Sequence, residues 1–187
     1  MSSFSAGTTR SASYLVTAVD YNLSINNVNY LGSGTPGTGR AAVMATSVLN
    51  TSLTTATWTQ MLFASEEFDT SGMHSTSVNT GRLTVPAGEG GLYLIQASVM
   101  LSSFANKGAA LQVRKNGAGS TAPTLQAATG LFDTLTANLI PTCTLSGMVR
   151  LAAADYLELY VIQNSGGALA LSGTTQAHRF GALWMSA

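Results

Sequence analysis

The chain has 187 residues, enough for one domain that buries most of its unfolded surface without disulfides or metals. Only 9% of its residues are charged and the net charge is zero, so no long-range field draws it to nucleic acid or anionic lipid. Low charge together with 45% hydrophobic residues predicts a surface that copies of the chain, or a larger assembly, largely cover.

The start of the chain bears on where the protein is made. Residues 1–10 lack the basic start and the apolar stretch of a signal peptide. No run in the sequence approaches the ~20 apolar residues needed to cross a bilayer. The sequence therefore predicts no membrane span and assembly in a cytoplasm.

A short helix is predicted within residues 17–31. Thr17 and Asp20 fit a capping box, in which two side chains satisfy free backbone N–H groups at a helix start. The apolar residues that follow at helical spacing form one stripe, which needs something to pack against; they are Tyr21, Ile25 and Val28.

A glycine-rich segment separates this helix from the rest of the chain. Residues 32–39 contain too much glycine for a regular element and are typical of a linker. The pattern G-x-G-x-x-G occurs here, but no strand precedes it and Pro36 prevents a helix from following, so it predicts no dinucleotide site. We therefore predict an attachment arm and linker over residues 1–39 and one domain over residues 40–187.

From residue 41 onward, short apolar runs alternate with polar, glycine-containing breaks, as in β-strands and turns. Asn116-Gly117 predicts a tight hairpin, because both positions tolerate positive φ. Cys143, the only cysteine, is predicted to be buried in a strand. Residues 118–138 have no firm period and are predicted to be irregular strand and loop. Further strands are predicted at residues 92–101, 111–115, 145–151, 156–163, 168–172 and 180–185. Many short strands with regular turns predict an all-β sandwich or barrel.

Several segments resemble one family in the same order along the chain. The family is the globular head domain of the complement first component, a jelly roll related to the tumour necrosis factor fold. The matching segments are residues 58–63, 67–70, 81–86, 91–93, 107–117, 149–159 and 180–184. Ala154 stands where the family has a glycine, a departure that affects turn geometry. The arm in turn resembles phage virion proteins, whose N-termini often read Thr-Ala-x-x-x-Asn, as residues 17–22 do.

The resemblance implies a jelly-roll sandwich assembled as a threefold trimer. Residues 156–161 also favour an oligomer, because an aromatic face alternates with a core-facing apolar one. A sheet that is apolar on both faces needs a second partner surface. We therefore predict Tyr156 and Tyr160 near the threefold axis. Trp58 and Trp184, in the first and last strands of the predicted domain, are predicted to be core or interface residues.

Glu66, Glu67 and Asp69 form the densest acidic cluster, and two interpretations are open. The first is a calcium site built from hard oxygen ligands, since some members of the resembled family bind calcium near the trimer axis. The second is a solvated turn in which Asp69 accepts hydrogen bonds from local backbone N–H groups. His74 is predicted to be a surface loop residue and His178 to be structural, so no zinc site is predicted.

No residue pattern has the spacing that proton transfer or nucleophilic attack requires, so we do not expect an enzyme. The leading hypothesis is a structural protein of a tailed-phage virion: a trimeric capsid decoration protein or short appendage whose arm binds other virion proteins. The alternatives are a tail-fibre or tail-tip receptor-binding protein, and a carbohydrate-binding module whose outer loops, with or without calcium, bind host-surface glycan.

Overall fold

The computed structural model describes residues 40–49, 52–102, 107–132, 142–172 and 178–186. The predicted arm and its helix, residues 1–39, lie outside these residues. Within them the chain forms twelve β-strands and no helix. The strands are β1 Ala42–Val48, β2 Ser52–Leu53, β3 Thr59–Gln60, β4 Phe63–Asp69, β5 Arg82–Thr84, β6 Gly91–Met100, β7 Lys107–Lys115, β8 Leu125–Phe132, β9 Thr142–Leu151, β10 Tyr156–Gln163, β11 Leu169–Ala170 and β12 Arg179–Ser186.

Two antiparallel sheets form the body of the domain. The first sheet has the order β4-β1-β12-β6-β9, and the second has the order β3-β10-β7-β8, with β5 also paired to β10. A third, two-stranded sheet joins β11 to β2. The first and last of these strands, β1 and β12, are neighbours. The expected all-β jelly-roll sandwich is thus confirmed.

The core lies between the two sheets because alternate residues of each strand point inward. In β6 the buried set is Tyr93, Ile95, Ala97 and Val99, which matches the predicted alternation. Phe63 from β4 and Phe180 from β12 stack with ring centroids 6.1 Å apart. Cys143 is buried in β9, as predicted.

The predicted turn at Asn116-Gly117 is confirmed, but the tight hairpin is not formed: β8 begins only at Leu125, which pairs with Val113 of β7. Asn116 and Gly117 have φ values of +53° and +73°, and both lie in the predicted turn after β7. Asn116 further fixes this turn, since its side chain accepts the backbone N–H of Tyr156 at 2.9 Å and donates to Asp155 at 2.7 Å.

One sequence prediction was coarse and another was wrong. Residues 118–138 were expected to be irregular strand and loop; the described part of them is a loop followed by β8, which pairs with β7 along most of its length. Trp58 was expected in the first strand of the domain, but it lies in the loop before β3, whereas β1 begins sixteen residues earlier in the chain. In both segments alternation is weak, so cross-strand pairing and not local pattern decides the structure.

Candidate interaction surfaces

The outer face of the first sheet carries an apolar row that crosses four strands. In register, Ala42 of β1 lies opposite Leu183 of β12, Leu183 opposite Leu94 of β6, and Leu94 opposite Met148 of β9. Leu183 is 41% exposed and Met148 is 64% exposed. An apolar row of this length on an exposed sheet face is the kind of surface that a partner normally covers.

A second row, one pleat away, extends this surface to β4. Phe68 lies opposite Met44, Met44 opposite Gly181, and Gly181 opposite Gln96. Phe68 is 46% exposed. We define the docking face by the apolar side chains of the two rows: Ala42, Met44, Phe68, Leu94, Met148 and Leu183.

Gly181 forms a groove at the centre of the docking face. A Cβ at this position would lie 2.8 Å from the Cε of Met44 and 2.8 Å from the Val43 carbonyl oxygen. Gly181 lines a cavity of about 140 Å³ whose wall also includes Phe68 and Leu183. The docking face is therefore a grooved surface into which a side chain of a partner can insert.

The outer face of the second sheet is polar and aromatic. Glu158 of β10 is only 4% exposed although it points away from the core. Its Oε1 accepts hydrogen bonds from Arg82 Nε at 3.0 Å and Gln60 Nε2 at 3.2 Å, and its Oε2 accepts from the Tyr160 hydroxyl at 3.4 Å. The bond to Glu158 is the main cause of a raised pKa for the Arg82 guanidinium.

Arginine side chains cover the two tyrosines of this face. The guanidinium carbon of Arg82 lies 4.1 Å from the ring centroid of Tyr156, and that of Arg114 lies 3.7 Å from that of Tyr160. Arg114 is also 5.5 Å from the Trp58 ring. These are cation–π distances, so this chain's own side chains already pack on the aromatic residues.

Gln112 holds Arg114 in place over Tyr160. Its Oε1 accepts two hydrogen bonds from the guanidinium, at 3.1 Å and 3.0 Å. Its Nε2 donates to the Ser120 carbonyl at 2.9 Å and to Gln126 at 2.8 Å. Gln112 is 2% exposed, so a buried amide bonded at both its oxygen and its nitrogen fixes the position of the Arg114 guanidinium.

The four predicted interface residues lie on different surfaces. Tyr156, Tyr160 and Trp58 belong to the polar and aromatic face of the second sheet, whereas Trp184 of the first sheet packs against the core. The indole Nε1 of Trp184 donates to the Gly90 carbonyl at 3.4 Å. A single chain does not test an interface, so the roles assigned to these four residues stay predictions.

The acidic cluster lies in β4 and anchors the loop that follows. Both oxygens of Asp69 accept backbone N–H groups, from Ser71 at 3.2 Å, Met73 at 3.0 Å and His74 at 2.8 Å. The predicted local hydrogen bonding of Asp69 is confirmed, although the residue ends a strand. Glu67 is exposed, and its carboxylate lies 3.4 Å from Arg179.

His74 was expected at the surface, and this was wrong. The residue is 8% exposed, with its Nδ1 2.8 Å from Glu66 and its Nε2 3.0 Å from the Thr80 carbonyl. Glu66 therefore has a histidine partner. In the part of the chain that the structure describes, no three His, Cys, Asp or Glu side chains come together in a way that could hold a metal ion.

The sequence analysis predicted neither the docking face nor the Glu158 cluster, although part of each is visible in the sequence. Leu92 and Leu94 make the outer face of β6 apolar at one end, next to Gln96 and Ser98. Glu158 stands between two tyrosines in the sequence, but its alignment with Arg82 and Arg114 depends on strand register. Register across distant strands is not readable from local pattern.

The two sheets and their strand order define a tumour necrosis factor-like jelly roll. No family model and no curated protein sequence matches the chain. Among solved structures it is similar to the crystal structure of murine APRIL at pH 8.0, a protein of the tumour necrosis factor superfamily. The TM-score is 0.56 at 12% sequence identity, and the match covers 78% of this chain and 99% of APRIL. At this identity the likeness establishes the fold alone.

Among the described residues, no helix has the length and apolar character needed to cross a membrane.

Proposed function

We propose that this chain is a non-enzymatic structural protein of a tailed-phage particle, assembled in the host cytoplasm as a homotrimer. Within that class we favour a capsid decoration protein or short appendage over a tail fibre. Residues 1–39 attach it to neighbouring virion proteins, with Tyr21, Ile25 and Val28 as the side chains that become buried. The arm's resemblance to phage virion proteins and the low charge of the chain support this role.

The exposed docking face is the main observation that supports self-association of the chain. It has no charged member, and the chain has no net charge, so copies of the chain meet without electrostatic repulsion. A stable interface buries ~1,200 Å² or more, which calls for a face spanning several strands such as this one. The jelly-roll fold, whose complement-head relatives are expected to form trimers, favours three copies.

Sedimentation of the full chain tests self-association. We expect a trimer for the natural sequence and monomers for Met148→Asp and Leu183→Asp, because a carboxylate in a covered apolar face loses its hydration without a partner. Val78→Asp is the matched control, since Val78 is 65% exposed but lies outside the docking face. A monomeric natural chain, or trimers for both docking-face variants, would contradict the proposal.

The same assay tests the prediction for the second sheet. Tyr156→Ser and Tyr160→Ser should dissociate the trimer if these residues lie at the threefold axis. Trimers for both variants, together with monomers for Met148→Asp, would assign the interface to the docking face.

Attachment to the particle is tested by electron microscopy of purified phage with a gold label on this protein. Regular label over the head is expected for a decoration protein, whereas label confined to the tail end would favour receptor binding. Deletion of residues 1–31 should leave a trimer that no longer joins particles. Incorporation of the shortened chain would refute the role of the arm.

A carbohydrate-binding module remains the second candidate function. The observation that favours it is a polar cleft on the second sheet, opposite the docking face. A trimer formed through the docking face leaves this cleft open on every copy.

A further inference from the structure

The cleft lies where two short strands meet end to end along β10. Gln60, the last residue of β3, pairs with Tyr160, and Arg82, the first residue of β5, pairs with Glu158. The loop before β5 closes one side, held by the Phe63 N–H bond to the Thr80 carbonyl at 3.0 Å. The cleft has a volume of about 270 Å³, near the lower end of small-molecule sites, which begin at roughly 300 Å³.

Gly81 is required for this shape. A Cβ at Gly81 would lie 2.9 Å from the Met61 carbonyl oxygen and 2.5 Å from the Gln60 Nε2. The neighbouring Asn79 has a φ of +52°, and its carbonyl accepts the Arg82 N–H at 2.9 Å. The turn from Asn79 to Arg82 is thus held tightly against the sheet, and the cleft is part of the folded domain.

The lining is almost entirely polar. It consists of Gln60, Leu62, Ser77, Asn79, Thr80, Gly81, Arg82 and Glu158. Two amides, two hydroxyls, a guanidinium and a carboxylate supply both donors and acceptors. An apolar ligand would bury little apolar surface here. A ligand with many hydroxyl groups, each able to donate and accept, could form hydrogen bonds with most of the lining residues.

Charge selects among polar ligands. Arg82 and Glu158 are the charged residues of the lining, and they are paired with each other at 3.0 Å. An anion would face the Glu158 carboxylate and a cation would face the Arg82 guanidinium. The cleft therefore favours a neutral ligand.

Glu158 is a buried charged residue of the cleft. Its side chain is 5% exposed and lines the cleft. The Arg82 and Gln60 bonds are both made to Oε1, and the hydroxyl bond to Oε2 is long, at 3.4 Å. Arg82 uses Nε for Glu158, so its terminal nitrogens remain able to donate to a ligand.

We propose that the cleft between Asn79, Arg82 and Glu158 binds a neutral saccharide. This inference deepens the second candidate function and does not depend on the trimer or on the virion. If the docking face does form a trimer, three clefts act together on one glycan-coated surface, and weak single sites add up to durable attachment.

The test begins with the full chain on a glycan array that carries neutral, sialylated and sulfated oligosaccharides. Binding to neutral glycans is expected. The methyl glycoside of the terminal sugar of the strongest neutral glycan is then titrated in solution by NMR, which measures a single site.

Asn79→Gly is the main variant, because it removes the side-chain amide while glycine keeps the positive φ. Loss of its hydrogen bonds to the sugar should weaken binding by roughly tenfold. Gln60→Ala should have a similar effect. Thr84→Ala, an exposed position on β5 outside the cleft, should bind as the natural chain does.

The experiment distinguishes a failure of the saccharide site from a failure of the trimer proposal. Met148→Asp should retain methyl glycoside binding even as a monomer, losing only the avidity seen on the array. No binding to any neutral glycan, binding to anionic glycans alone, or unchanged binding by both Asn79→Gly and Gln60→Ala would overturn the saccharide site.

Discussion

Ala154 has a backbone conformation that glycine usually adopts. Its φ is +69°, and it is the third residue of a turn closed by the Asp155 N–H bond to the Ala152 carbonyl at 3.1 Å. Positive φ at that position is characteristic of a type II turn, which favours glycine. An alanine in this conformation carries a strain of about 1 kcal/mol.

We predict that Ala154→Gly raises the free energy of unfolding by about 0.5–1 kcal/mol, part of the relief being offset by a more flexible unfolded chain. Ala153→Gly, in the same turn but without positive φ, should lower it by a similar amount. Urea denaturation at one protein concentration measures both. If Ala154→Gly instead lowers the free energy of unfolding relative to the natural chain, the turn is not strained.

Glu89 is a second residue with an unfavourable environment. Its Oε2 is buried and has no hydrogen-bond partner among the described residues, while its Oε1 accepts from the Ser71 hydroxyl at 3.2 Å. Burial raises the pKa of Glu89 above its ordinary value of 4.5; the Ser71 bond opposes this, and the nearby Asp69 charge adds to it.

Because the pKa of Glu89 is raised in the folded state, ionisation of Glu89 lowers the free energy of unfolding as the pH rises. The contribution of Glu89 to stability is fully present below a pH of about 4.5 and is lost as the pH rises through the folded-state value. We predict that Glu89→Gln becomes more stable relative to the natural chain between about pH 4 and about pH 7. Thermal unfolding at several pH values measures this, and a constant difference between the two proteins would contradict it.

At the scale of elements, the start of β6 lies close against the end of β12 at Gly91. A Cβ on Gly91 would clash with the Ser186 carbonyl oxygen, a backbone atom that cannot move aside without disturbing the pairing. We predict that Gly91→Ala lowers the free energy of unfolding by about 1–3 kcal/mol. Gly119→Ala is the control, because a Cβ there meets nothing within 4 Å, and it should change stability by less than about 0.5 kcal/mol. Equal effects would show that the β6–β12 contact adapts to the methyl group.

The sequence was most informative for elements with strict alternation. Residues 92–101 predicted β6, and the aromatic and apolar run from 156 to 163 predicted β10, because each side of these strands meets a different environment. The bounds and pairing of β8 were not predicted, since alanine, threonine and glycine mark neither face. The docking face and the Glu158 cleft were missed for another reason: each combines residues from at least three strands, and only the register brings them together.

For the whole molecule, the apolar docking face predicts how subunit affinity depends on salt. Apolar burial is little affected by ionic screening, whereas exposed ion pairs weaken as the Debye length shortens. We predict that the proposed trimer dissociates no more readily at about 0.5 M sodium chloride than at about 0.05 M. Sedimentation over a dilution series measures this, and a tenfold loss of affinity at high salt would mean that charged contacts hold the subunits together.

Adjacent terminal strands have a practical consequence for engineering. The Trp184 N–H bonds to the Ala41 carbonyl at 2.8 Å, so the junction with the arm and the end of β12 emerge at the same pole of the domain. If residues 1–39 attach the protein to a particle as proposed, a peptide joined to the end of β12 would lie beside the attachment point and face the particle shell. The turn at Gly166–Gly167 follows β10 at the opposite pole, and a Cβ at either glycine meets nothing within 4 Å. Antigens or affinity tags should be inserted at that turn, which tolerates added length and would face away from a particle attached through residues 1–39.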